Sequence, residues 1–310
     1  METVHTFEEL ATVARRVCLA IGVFDGVHLG HQRVIGQARD DARAAGGAAV
    51  VLTFDPHPMR VLQPDKAPLL LTSTPHKLRL LEQFGVDACL MLRFDRPFSL
   101  IPAEQFIELV AHKTNQLQEI CVGSRFRFGH DRAGDARLIE KMGTVHGFTV
   151  KEIQRVEQDG HIISSTAVRQ QVVAGHLDRA AAMLGRPFSV LGSIVTGDRR
   201  GRQLGFPTAN IDPHSEALPP EGVYAVRATV DGQTLNGVAN IGRRPTFATA
   251  TAPTRVLEVH LLDYDRDIYG REIEVQFLHK LRAEKKFDSV DALKAQIAAD
   301  IQTARQALSS

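Results

Sequence analysis

Two histidines three residues apart, His28 and His31, follow the run Ile21-Gly22-Val23-Phe24-Asp25-Gly26-Val27 and flank Leu29-Gly30. Residues at that spacing share one face of a helix, so both side chains can donate N–H groups to the oxygens of one phosphate. Such donors count most when negative charge builds during group transfer. Their surroundings fit this chemistry. Residues 17–21 form an apolar run that reads as a buried strand and residues 30–45 read as a helix, so the glycines fall where a strand feeds a helix N-terminus. Backbone N–H groups and the helix dipole favour anions at that place. Gly22, Phe24, Asp25, Gly26 and Gly30 are therefore candidate ATP- and phosphate-binding positions, with His28 and His31 as candidate catalytic residues. The chemistry indicated is phosphoryl or nucleotidyl transfer.

Three other segments carry groups of the same kind. Ser164, Ser165 and Thr166 open a helix with Arg169 in its first turn, and hydroxyls there either cap the helix or bind phosphate. The run Thr53-Phe54-Asp55-Pro56-His57-Pro58 ends a strand with two prolines, and either lines the same crevice or forms a structural turn. Around Gly201, Arg202, Gly205 and Pro207 the glycines allow close backbone approach to phosphate. Thr208 and Asn210 alternate along an extended stretch, so their oxygens face one side and suit Mg²⁺, although a structural loop would read alike.

The elements that must position these groups change character midway. Strand-like runs at 48–54, 88–92, 120–123 and 148–153 alternate with helical patterns near 75–84 and 102–112. That alternation predicts a doubly wound, Rossmann-like α/β domain with a largely parallel sheet, whose ligands bind at the carboxyl ends of the strands. After residue 184 short alternating runs follow at 188–195, 223–230, 235–241, 255–262 and 272–281, which predict an antiparallel barrel or sandwich. An amphipathic helix over 289–308 ends the chain. The change of period places the domains at 1–184 and 185–310.

Composition bounds the function. The 310 residues suffice for two cores, and 44% hydrophobic with 24% charged residues is a soluble globular balance. No apolar run approaches the ~20 residues of a membrane span. The segment Met1-Glu2-Thr3-Val4-His5 carries acid where a secretory signal needs base, so the expected location is cytoplasmic. Cys18, Cys89 and Cys121 are widely spaced in apolar runs and read as small buried hydrophobes. A net charge of +1 without a long basic run argues against nucleic acid, and the partners expected are small molecules.

The motifs also carry a family likeness. Phe24-Asp25-Gly26 with His28-Leu29-Gly30-His31 resembles the signature of the HIGH-type nucleotidyltransferases, in the form found in bacterial FMN adenylyltransferases. Ser164-Ser165-Thr166 with Arg169 is similar to the element by which such enzymes hold the ATP β- and γ-phosphates. The run Val122-Gly123-Ser124-Arg125-Phe126-Arg127-Phe128-Gly129 looks like the element beside the flavin, which makes Phe126 and Phe128, together with Asp55, Pro56, His57 and Pro58, the expected flavin-binding residues. Arg125 departs from the Asp or Asn usual there, and no role is carried over to it.

In the second half, Gly205-Phe206-Pro207-Thr208-Ala209-Asn210, Gly222-Val223-Tyr224-Ala225, Gly237 to Gly242 with Pro245-Thr246-Phe247, and Glu258-Val259-His260 resemble riboflavin kinase. That resemblance implies MgATP at the Pro207 to Asn210 segment and Glu258 as the base for the ribityl 5′-hydroxyl. The two halves in this order resemble the bacterial bifunctional riboflavin kinase/FMN adenylyltransferases, or FAD synthetases. Riboflavin, FMN and ATP are the implied substrates, FAD the product and Mg²⁺ the cofactor, in a monomer or weak homo-oligomer. A flavin-sensing regulator would be expected to lack Glu258 or the histidines, and adenylylation of another phosphate ester would leave the kinase-like half unexplained.

Overall fold

A computed structural model describes residues 1–158, 160–196, 204–244 and 254–309. Its contacts divide the chain into two compact units, residues 1–68 with 74–165, and residues 69–73 with 166–310.

The first unit runs β1 (Glu2–Val4), α1 (Phe7–Val13), β2 (Val17–Ile21), α2 (Leu29–Ala45), β3 (Ala48–Asp55), α3 (Pro58–Leu62), α4 (Thr74–Gln83), β4 (Ala88–Arg93), α5 (Arg96–Ser99), α6 (Ala103–Lys113), β5 (Leu117–Gly123), α7 (Ala136–His146) and β6 (Thr149–Ile153). A small hairpin of β7 (Glu157–Gln158) and β8 (His161–Ile162) follows. The six longer-range strands pair in parallel in the order β1-β4-β3-β2-β5-β6. Every residue of β2 is buried, as expected of a strand covered on both faces. Its side chains alternate between two cores: Val17, Leu19 and Ile21 join the layer of α1, α6 and α7, while Cys18 and Ala20 join the layer of α2 and α4. The strand order reverses between β2 and β5, which makes their carboxyl ends the switch point of the sheet.

The second unit carries α8 (Ser165–Ala174) from Thr166 onward, α9 (Leu177–Leu184), then β9 (Phe188–Val195), β10 (Ala209–Pro213), β11 (Gly222–Val230), β12 (Gln233–Arg244), β13 (Thr254–Leu261), β14 (Glu272–Arg282) and α10 (Val290–Leu308). The strands close into an antiparallel barrel in the order β10-β13-β12-β11-β14-β9, so of the two architectures expected the barrel is the one formed. Buried Tyr224 meets Phe277 edge to face at 5.5 Å, and Phe188 stacks on Phe277. Leu177, Ala180, Met183 and Leu184 form the buried stripe of α9, which packs on β9 and β14. That packing explains why the compact units part after Ser165, upstream of the change in sequence period near residue 185. Ser289 caps α10, whose Ala304 and Leu308 pack with Ala225, Val238, Leu278 and Leu281. Arg282 and Asp300 pin this helix to β14 through bonds of 2.8 and 3.0 Å.

Candidate active sites

In the first unit the glycine turn leaves β2 at the switch point. Gly26 has φ 82°, and two residues with side chains, Phe24 and Val27, hold φ values of 54° and 40°. Phe24 is buried, and its ring packs beneath the turn rather than toward solvent. His28 caps α2, its Nδ1 accepting the His31 backbone N–H at 3.3 Å. A neutral His28 ring therefore carries its proton on Nε2. A Cβ on Gly30 would come within 3.0 Å of His28 Cε1, and glycine there lets the imidazole fold back on the helix. The His28 and His31 rings stack at 3.6 Å and 19°, and Phe24 meets His31 edge-on at 5.2 Å. Nδ1 of His31 is buried and makes no hydrogen bond, and the ring packs between His28 and Phe24.

Burial, then His28, then Lys77 hold the His31 imidazole well below its usual pKa of 6.5. It is neutral at pH 7 and offers one N–H. The unfolded chain takes up this proton near pH 6.5 and the folded chain resists it, so stability contributed above pH 6.5 is lost as the pH falls. Between pH 7.5 and 5.5 the urea midpoint should therefore fall further for the native protein than for His31→Phe; equal falls would contradict a neutral, half-buried imidazole.

Ser165, from the hydroxyl segment, donates its Oγ to the Asp25 carbonyl at 2.9 Å and so ties that segment to the glycine turn. Thr166 and Arg169 fall in the second unit, where Arg169 Nε donates to the Leu69 carbonyl at 2.6 Å. At the end of β3, Asp55 accepts Thr74 Oγ1 at 3.0 Å, and His57 caps α3 ahead of Pro58 by accepting the Met59 N–H at 3.1 Å. These two residues thus have local structural work. Phe128 is 7% exposed and lies between Phe106 and Phe126, whose half-buried ring stacks on it at 5.4 Å. Arg125 is exposed, whereas Arg127 pairs with Asp135 at 3.3 Å.

All three cysteines are buried and free, and burial pushes the Cys18 and Cys89 thiols up to about 11. Cys121 donates to Glu119 at 3.3 Å, and Asp41 completes a cluster of possible ligand atoms within 4.8 Å. Burial raises the Glu119 carboxyl and its hydrogen bond to Asp41 raises it further.

Sequence reasoning passed over one charged group beneath the turn. Lys77 of α4 is 6% exposed, and its Nζ donates to Thr53 Oγ1 at 3.1 Å and to the Val23 carbonyl at 3.3 Å. The available signal was its spacing, because Lys77 stands on the buried stripe of α4 with Leu80 and Leu81.

In the second unit Asn210 of β10 pairs in register with Glu258 of β13, which pairs in turn with Asn240 of β12. Partners across neighbouring strands share a face, so these three side chains form one polar row. The residues flanking each of them, Ala209, Ile211, Leu257, Val259, Ala239 and Ile241, are buried in the barrel, and the row is half-buried on its outer side. His260 Nδ1 donates to the Pro207 carbonyl at 2.7 Å, fixing the segment that precedes Thr208. Thr208 lines a cavity of about 430 Å³ between residues 207–209, β13 and the loop 264–269. Gly205 is in the left-handed region at φ 89°. Gly201, Arg202 and Pro245-Thr246-Phe247 lie outside the described residues. The contributions of Asn240 and His260 appear only once β12, β13 and the Pro207 segment are brought together.

Comparison with known proteins matches the same two halves. The FAD synthetase family matches residues 10–167 and the riboflavin kinase family residues 184–308. The bifunctional riboflavin kinase/FMN adenylyltransferase of Escherichia coli K12 is 42% identical over 99% of this chain and 97% of its own. That of Bacillus subtilis is 38% identical over 92% of this chain and 90% of its own. A solved structure described as a macrolide-efflux protein from Streptococcus pneumoniae aligns with TM-score 0.84 and 30% identity, covering 98% of this chain and 99% of that one. Among the described residues no helix is long and apolar enough to cross a membrane. With both family domains matched in order and with full-length relatives at this identity, the chain belongs to the bifunctional riboflavin kinase/FMN adenylyltransferase family.

Proposed function

We propose that residues 1–184 carry the adenylylation of FMN to FAD and residues 185–310 the phosphorylation of riboflavin to FMN. In the first reaction an oxygen of the FMN phosphate attacks the ATP α-phosphorus and pyrophosphate leaves. His28 and His31 each offer an N–H to the oxygens that gain charge in that step, while Gly22, Asp25, Gly26 and Gly30 shape a turn with room for phosphate. The stacked pair of imidazoles at the start of α2, set on a turn with two strained non-glycine residues, is the observation that supports this reading most strongly. Ser164, Ser165, Thr166 and Arg169 are assigned to the β- and γ-phosphates. The Phe126 ring meets the flavin with Phe128 behind it, and Asp55, Pro56, His57 and Pro58 edge the same ligand.

In the second reaction the Glu258 carboxylate takes the proton of the ribityl 5′-hydroxyl, whose oxygen then attacks the γ-phosphorus as ADP leaves. Support comes from the register that sets Glu258 beside Asn210 and from the cavity at Thr208. Thr208 and Asn210 offer a hydroxyl and an amide oxygen, donors that suit Mg²⁺ as the hard divalent ion. When bound, that ion offsets the negative charge of the ATP phosphates. Gly201, Arg202, Gly205 and Pro207 are assigned to the ATP phosphates by the same reading.

The direct test incubates purified protein with riboflavin, ATP and Mg²⁺ and resolves the flavins over time. FMN is expected first and FAD after it, with neither formed once the divalent ion is chelated. No flavin nucleotide at any time would point to a flavin-binding regulator.

A fragment of residues 185–310 is expected to phosphorylate riboflavin by itself. It should melt below a fragment starting at Thr166, because it lacks the α9 stripe that covers β9 and β14. Equal melting temperatures would mean that this stripe adds nothing to the barrel.

A further inference from the structure

Lysine is among the residues least often buried, because taking its charge out of water is costly unless the charge is compensated. Lys77 is buried all the same, and its surroundings are specific. Its Nζ donates to Thr53 Oγ1 and to the Val23 carbonyl, and Thr53 Oγ1 donates to that same carbonyl at 3.1 Å. Thr53 is fully buried, so the three groups form a closed triangle beneath the glycine turn. The Val23 carbonyl belongs to the residue between Gly22 and Phe24, where the chain begins its left-handed excursion. The charges facing the ammonium are Asp25 from the turn and Asp55 from the end of β3, with the Cys89 thiol of β4 also near. The groups facing His31 are His28 on its own helix and Lys77 on α4.

We propose that Lys77 is a positioning residue for FMN adenylylation, anchoring the Val23 carbonyl beneath the glycine turn and placing a positive charge beside the His31 imidazole. The two effects act together. A charged donor holds a carbonyl more firmly than a neutral one, which keeps the turn that leads into α2 in its observed conformation. A cation beside an imidazole disfavours a second positive charge, so His31 stays the neutral donor that the reaction uses. Burial lowers the affinity of Lys77 itself for its proton, and the carboxylates of Asp25 and Asp55 work against that loss. The inference rests on the assignment of His31 to the adenylylation step.

The test follows the histidine signals of the full-length protein by NMR titration and measures FMN-to-FAD conversion against pH. In Lys77→Met the His31 midpoint should move up, the acid limb of adenylylation should move with it, and kcat/KM should fall about tenfold to 10²-fold. Riboflavin phosphorylation should not change, and native dispersion of the NMR signals of the unit that contains Lys77 reports that this unit is folded. Lys77→Arg, which keeps the charge, should hold the His31 midpoint at its native value even where the larger head lowers the rate. If Lys77→Met fails to fold, Lys77→Gln keeps a donor without the charge and should show the same upward shift. A His31 midpoint unchanged in the folded neutral variant, whether or not the rate falls, overturns the proposal. Failure of the underlying assignment looks different: His31→Ala would then leave FMN adenylylation at the native rate while Lys77→Met still moved the His31-independent signals of the turn.

Discussion

Glu258→Gln is expected to lower FMN formation from riboflavin by about 10²–10⁴-fold, the usual worth of a positioned general base, and to leave conversion of supplied FMN to FAD unchanged. Glutamine keeps the shape of the side chain and the backbone ladder of β13, whose partners on both sides are set by main-chain bonds. What it loses is the ability to accept a proton as a carboxylate does. The row from Asn210 to Asn240 would retain its packing, so the melting temperature should stay close to native. Measuring the two conversions separately on one preparation decides the matter. FMN formation within a few-fold of native would remove Glu258 from the role of base, and loss of both conversions in a folded protein would contradict separate sites.

The parallel sheet was legible because its strands are continuous apolar runs: residues 17–21 and 48–54 were read nearly as β2 and β3 form them. Alternation likewise marked the strands from 188 onward, yet it left barrel and sandwich equally open. Closure depends on β9 pairing with both β10 and β14, and such register between distant strands has no local signature. β10 was read only as an extended stretch, since five residues ending in Pro213 offer little alternation to detect. The chemistry divides in the same way. His28 and His31 announced themselves by spacing along one helix, and the structure adds that His28 also caps that helix. The spacing of Lys77 set it on the buried stripe of α4, but its partners were hidden, because they belong to Thr53 and Val23, 24 and 54 positions away in the chain.

Replacing both histidines, His28→Ala with His31→Ala, should abolish FMN adenylylation and leave riboflavin phosphorylation at its native rate. Removing one donor from a transition state commonly costs about 10²–10³-fold, and these two rings stack in contact, so the pair is expected to act as a unit rather than as two additive terms. The structural cost is smaller. Loss of the His28 cap costs about 0.5–2 kcal/mol, and ending the edge contact between Phe24 and His31 costs about 0.5–1.5 kcal/mol. A domain with ordinary stability of about 5–15 kcal/mol survives such losses. One gain works in the other direction, because removing an imidazole that resists protonation takes away a source of acid sensitivity. The double variant should thus accumulate FMN from riboflavin without forming FAD, and its unfolding transition should depend less on pH below 6.5 than that of the native protein. FAD appearing at a rate within tenfold of native would show that charge at the α-phosphorus is stabilised elsewhere, and the turn between β2 and α2 would then be a binding loop without a catalytic part.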